Sequence, residues 1–231
     1  MKFAKALFAM SLMVSSLAMA QSTTNSIYID QVGDNSTITI KQKGQSNKIG
    51  TEQARVVIEG NAQTLDITQE GNNNTMNGSI EQADNVNYDT TVTGDNNDIV
   101  YDQGGSGSIA GSTKTLTVTG DSNDLVFNQG TTASATGATQ TIAITGDTNA
   151  YTSTINADDV VNTIAVTGSD NTVVMTQDGT AGKNVEMTLL GSTNVVTVNQ
   201  KSTTNVDTLK IDSTSSGSTI TINQCNAGGP C

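Results

Sequence analysis

Apolar and polar residues alternate with period two along short stretches of this chain, as in Thr-Leu-Thr-Val-Thr at 115–119 and Thr-Ile-Ala-Ile-Thr at 141–145. That period predicts half-buried β-strands. Parity then assigns the inward side chains of each strand. One set comprises Ile38 and Ile40, Leu65 and Ile67, Leu116 and Val118, Ile142 and Ile144, Ile164 and Val166, Met187 and Leu189, and Leu209 and Ile211. A second set follows each of several turns: Ile99 and Tyr101, Leu125 and Phe127, Val173 and Met175, Val196 and Val198.

The turns between the two sets share one form, opened by Gly and closed by Asn three residues later. They are Gly44–Asn47, Gly71–Asn74, Gly94–Asn97, Gly120–Asn123, Gly146–Asn149, Gly168–Asn171 and Gly191–Asn194, with successive glycines 27, 23, 26, 26, 22 and 23 residues apart. A fixed frame of this length, with one strand on each side of a turn, predicts an all-β solenoid of about eight two-stranded coils. At about 4.8 Å per level the stack is roughly 40 Å long. Residues 21–224 form one elongated domain, since no linker divides them.

Several second strands end six residues after the Asn in a glutamine: Gln53, Gln103, Gln129, Gln177 and Gln200. Parity points these inward. Amides repeated at one level of a stack bond to their counterparts above and below, which removes the cost of burying them singly. Gly supplies tight-turn backbone angles, and Asn or Asp caps nearby amides, so the Gly-to-Asn element is first of all a turn. The opposite turn is looser, marked by Gly60, Gly105 and Gly179 in some copies and lengthened near 106–114 and 131–140.

Residues 1–20 stand apart from this frame. Lys2 and Lys5, an apolar stretch from Ala6 to Leu17 and Ala18-Met19-Ala20 make an export signal, so the mature chain is expected to start at Gln21 and to be secreted or displayed at the cell surface. Loss of the two lysines leaves eight basic residues against 22 acidic ones. So acidic a chain is a poor partner for nucleic acid or anionic lipid, and no segment has the roughly 20 apolar residues of a membrane-spanning helix. Aromatics make up 3% of the chain and histidine is absent. The low aromatic content suggests disorder until the period-two pattern argues otherwise.

The curlin repeat, Gln-x-Gly-x-x-Asn-x-Ala followed four residues later by Gln, resembles the stretch carrying Gln42, Gly44, Asn47 and Gln53, with Ile49 in place of Ala. Gln69, Gly71 and Asn74 begin a second copy, and Gln31-x-Gly33 lies eleven residues before Gln42-x-Gly44. Further on, Val92, Val118, Ile144, Val166 and Leu189 replace the first Gln. The resemblance implies a subunit of adhesive, biofilm-forming surface fibres, self-associating and served by curli-type secretion or nucleation proteins. Open solenoid ends provide the physical route, with strands at 26–31 and 218–224 as the interacting edges. Gln224 closes the last strand.

Cys225 and Cys231, in a tail spanning 225–231, are the only cysteines. In an exported chain they are expected to form an intrachain disulfide whose loop covers the last coil, with intermolecular cross-linking as the alternative. No His or second Cys pair accompanies them, so metal binding is not expected there. No cofactor is expected either. Without histidine, and with Asp158 and Asp159 adjacent in one loop, no catalytic set emerges, and the chain is read as a non-enzyme. Two further readings come from stacked outward residues. Thr93, Thr119, Thr145 and Thr167, with Thr91 and Thr117 beside them and Thr115, Thr141 and Thr163 in another column, form either a flat array of the kind that binds ice or another repetitive surface, or simply the small polar face that suits an exposed strand. Asp95, Asp121 and Asp147 stack at one corner where calcium is conceivable, although the period is not that of calcium-binding β-rolls.

Overall fold

The computed structural model describes residues 24–225, apart from 33–34, 36, 60–61, 63, 81–82, 86, 104–108, 111, 131–136 and 181. The export signal at 1–20 and residues 226–231 of the tail lie outside the described residues. Every described strand pair is parallel, and the described residues contain no helix. The strands form two long sheets, one of 11 strands and one of 9, plus a two-stranded ribbon of Ala83–Asp84 with Ile109–Ala110. Strands that precede a Gly-to-Asn turn make up the leading sheet, from Thr37–Lys43 to Asp207–Ser213. Strands that follow a turn make up the trailing sheet, from Ser26–Ile27 to Thr219–Cys225. Such an arrangement is a β-solenoid of about seven full turns, the all-β stack expected from the repeat.

The two sheets face each other across a narrow core, and the alternation places the inward set there. Leu65, Ile67, Leu116, Val118, Ile142, Ile144, Met187 and Leu189 from one sheet meet Ile99, Tyr101, Leu125, Phe127, Val173, Met175, Val196 and Val198 from the other. All of them are buried. Register is kept column by column: Ile27, Ile49, Met76, Ile99, Leu125, Tyr151, Val173, Val196 and Ile220 succeed one another as direct strand partners. Tyr101 and Phe127 stack with ring centroids 5.2 Å apart, and Tyr151 continues the pile 5.3 Å from Phe127. Below Tyr101 stands Gly78, where a Cβ would lie 1.7 Å from the Tyr101 carbonyl oxygen.

One coil departs from the parity reading. Ile49 pairs with Met76 and Ile58 with Ile80, so nine residues in this coil span the distance that four span in the next. The surplus leaves the sheet as a loop from Gly50 to Arg55, held by a Thr51 N–H to Ala54 carbonyl bond of 2.7 Å. Gln53 therefore lies exposed in that loop and not in the core. Ile58 takes its level.

Candidate functional site: the stacked turn and the open ends

At the Gly-to-Asn corner, the closing asparagines Asn47, Asn74, Asn97, Asn123, Asn149, Asn171 and Asn194 are all buried. From Asn47 to Asn171 each side-chain carbonyl accepts two bonds from the next asparagine, one from its backbone N–H and one from its Nδ2. Between Asn97 and Asn123 both are 3.0 Å, and between Asn123 and Asn149 they are 2.9 and 3.1 Å. The Nδ2 groups also reach across to turn carbonyls, as Asn74 does to Gly94 at 2.7 Å. The ladder extends beyond the seven expected members. Asn25 accepts the Asn47 N–H at 2.9 Å, and the Ser218 N–H donates to Asn194 at 2.8 Å. Ser22 and Ser215 stand where the seven Gly-to-Asn turns have glycine, so that frame marks neither of these two rungs.

A second ladder runs the other way at the residue after the glycine. The Gln45 N–H donates to Asn72, that of Asn72 to Asp95, that of Asp95 to Asp121 and that of Asp121 to Asp147, at 3.0, 2.6, 2.7 and 2.8 Å. Ser169, Ser192 and Ser216 continue it through their hydroxyls. The stacked aspartates thus cap N–H groups of the preceding coil, and among the described residues no cluster of three or more carboxylate, histidine or cysteine side chains is arranged to hold a metal ion.

Both ladders cap from coil to coil, and Asn47 and Asn74 also donate to carbonyls four residues back in their own coil, at 3.2 and 3.3 Å. The glycines have a matching reason. A Cβ at Gly44, Gly71, Gly94, Gly120, Gly146, Gly168 or Gly191 would lie between 1.8 and 2.5 Å from a backbone carbonyl oxygen of the next coil. Gly44, Gly71 and Gly94 also have positive φ, from 101° to 105°, and the third turn position has it in every copy, where Ser46, Asn73, Asn96, Ser122, Thr148, Asp170 and Thr193 range from 55° to 59°.

The glutamine column is interrupted. Its levels, in register, are Gln31, Ile58, Ile80, Gln103, Gln129, Ile155, Gln177, Gln200 and Gln224. Among the described side chains the last three make a continuous amide ladder, with Gln177 donating to Gln200 at 2.9 Å and Gln200 to Gln224 at 2.8 Å. Gln129, next to Ile155, turns across the core to the Ser112 hydroxyl at 2.9 Å, and Gln177 exchanges two 2.9 Å bonds with Asn162. In the leading sheet Gln42 donates to Gln69 at 2.8 Å, after which Val92 takes the column.

Two buried lysines carry signals that the sequence pattern did not single out. Lys183 lies 3.4 Å from Asp207, its strand partner, and donates to the Ser202 carbonyl at 2.8 Å. Lys114 projects into the core with Nζ 4.9 Å from the Tyr101 ring centre and 5.2 Å from that of Phe127. Burial lowers its pKa to about 7. On the outside, Thr93, Thr119, Thr145 and Thr167 are exposed in one file. Charged residues flank the array: Lys41 and Lys43 on Glu70 on one side, and Glu186 with Lys210 on the other.

At both ends the core columns lose their cover. Ile29, Ile38 and Ile40 at one end and Leu209, Ile220 and Ile222 at the other are only partly buried, and Ile27 is 47% exposed. Cys225 ends the last strand and is disulfide-bonded, while Cys231 lies outside the described residues. Fold and corner together define a parallel β-solenoid whose faces repeat from coil to coil. No protein-family model matches the chain, and no curated protein or solved structure is detectably similar to it.

Proposed function

We propose that this chain is a structural subunit of an extracellular, curli-like fibre, built by stacking the C-terminal end of one copy on the N-terminal end of the next. The observation that carries this reading is the match between the two ends. Ile220, Ile222 and Gln224 occupy the same three columns as Ile27, Ile29 and Gln31, so a second copy continues each column with a residue of like chemistry. Pairing of the edges satisfies backbone groups that each end otherwise leaves to water, and buries partly exposed aliphatic side chains. The work is done by ladders rather than by a catalytic centre. Electron microscopy with thioflavin binding on the purified mature protein tests it: dye-positive fibres are expected, and persistently monomeric, dye-negative material overturns it.

A second reading rests on the outward threonines, which from Thr113 to Thr167 form an uncharged block bordered by Asp89 on one side and Glu186 on the other. In this reading the protein binds ice or another repetitive surface as a monomer. Thermal hysteresis of the monomer is its test, and a null result removes ice as the ligand.

A further inference from the structure

Among the described residues the two sheets differ by one level. Counting the interrupted strands once each, the described trailing sheet has nine levels and the leading sheet eight. The difference arises at the N-terminal end, where Ser26–Ile27 and Ile29–Val32 lie on the trailing side and the residues before Thr24 lie outside the described ones. Their turn is otherwise a regular member of the series: Thr24 has φ 54° where Ser46 has 58°, and Asn25 is a rung of the ladder. The residues one coil before Thr37–Lys43 belong to the stretch read as the export signal, and so are expected to leave the mature chain.

This inequality has a consequence for end-to-end stacking. When Thr219–Cys225 of one copy pairs with Ser26–Val32 of the next, the trailing sheet is continuous. The leading sheet is not. Between Asp207–Ser213 and the next copy's Thr37–Lys43 lie two strand spacings, about 9.6 Å, which is room for one strand. Both borders of that place are strand edges, and their inward residues are aliphatic: Leu209 and Ile211 on one side, Ile38 and Ile40 on the other. Residues 226–231 do not suit it, because two glycines and a proline in six residues disfavour a strand.

We propose that the junction takes up one additional β-strand from a separate peptide chain, parallel to its neighbours, with aliphatic side chains at two alternate positions and polar ones between them. The width follows from the count of levels, the alternation from the two aliphatic borders, and the direction from a fold in which every described pair is parallel. The proposal rests on the end-to-end stacking above and on removal of the export signal at 1–20. It gives a strand-shaped partner a stoichiometric place in each junction.

The test uses the full mature chain and a capped peptide with the sequence of Thr37–Lys43, beside a control peptide in which both isoleucines are serine. Fibres are grown with each labelled peptide, pelleted and assayed for label, and the lag before assembly is timed. One isoleucine peptide per chain in the pellet, a lag shortened several-fold, and no uptake of the serine peptide are expected. Fibres that take up neither peptide refute the inserted strand and leave end stacking intact. Equal uptake of both reduces the effect to attraction between a basic peptide and an acidic chain, and also refutes it. If no fibres form with or without peptide, end stacking itself fails and this proposal with it.

Discussion

Replacing Lys114 by methionine should stabilise the monomer, by an amount that depends on pH in a defined way. The lysine sits in the leading strand Thr113–Thr115, and its ammonium group is enclosed by the core and lies against the Tyr101 and Phe127 rings. Burial brings its pKa from 10.5 to about 7. In the unfolded chain the lysine returns to its ordinary value, so between these limits the unfolded state holds more protons than the folded one. Stability therefore rises with pH through that window. Below about pH 7 both states are protonated and the effect is constant. Over the whole interval it amounts to about 4–5 kcal/mol, at 1.36 kcal/mol per pH unit. Methionine keeps the length and the contact with the rings and carries no charge. Denaturant titrations of dilute wild-type and Lys114→Met protein at pH 7, 8.5 and 10 measure the difference directly, since the other titrating groups largely cancel between the two proteins. The variant should be the more stable at pH 7, with the gap closing as pH rises. A gap that stays constant with pH would refute the reasoning.

Other substitutions probe the corner and the corrected glutamine. Asn123→Ala removes the acceptor of two bonds from Asn149 and one donor to Asn97 inside the core, and should cost about 3–5 kcal/mol in a melting or denaturant assay. Gly120→Ala sets a methyl group 2.4 Å from the Gly146 carbonyl oxygen and should cost at least about 1–3 kcal/mol, read from the same assay. Gln53→Ala, in the exposed loop, should leave stability within about 0.5 kcal/mol, whereas Gln177→Ala, which removes both bonds to Asn162 and the donor to the Gln200 side-chain carbonyl, should cost about 2–4 kcal/mol. Thr193→Asn, at a φ of 58° where a β-branched residue is strained, should raise the melting midpoint by an amount worth about 1 kcal/mol.

The solenoid was legible because one rule, alternation, holds on both sides of a marked turn. Leu116, Val118, Leu125 and Phe127 read from parity alone are buried as expected. Gln53 was misread for a local reason: parity carries only while a strand is unbroken, and five extra residues shift its phase. The signals of the break were the 27-residue step, the largest of the series, and the Val56-Val57-Ile58 run after Arg55. The ladders were legible as stacked positions, but their directions were not, because the sense of an amide is set by which coil supplies the N–H. Lys114 and Lys183 occupy inward positions by parity, where a charged residue looks like an exception to the pattern. Their partners, two rings and a carboxylate from other coils, are visible only in three dimensions.

The aromatic pile in the middle of the core acts as an address. Every rung of the asparagine ladder is chemically the same, so a chain that slipped by one whole coil during folding would still satisfy the corner almost completely. Gly78, Tyr101, Phe127 and Ser153 are successive partners in one column, and no two have the same volume. Slipping by one coil would drive a ring onto the backbone at Gly78 or leave a void beside Ser153. Identical rungs let the chain stack, and unequal side chains tell it which coil comes next.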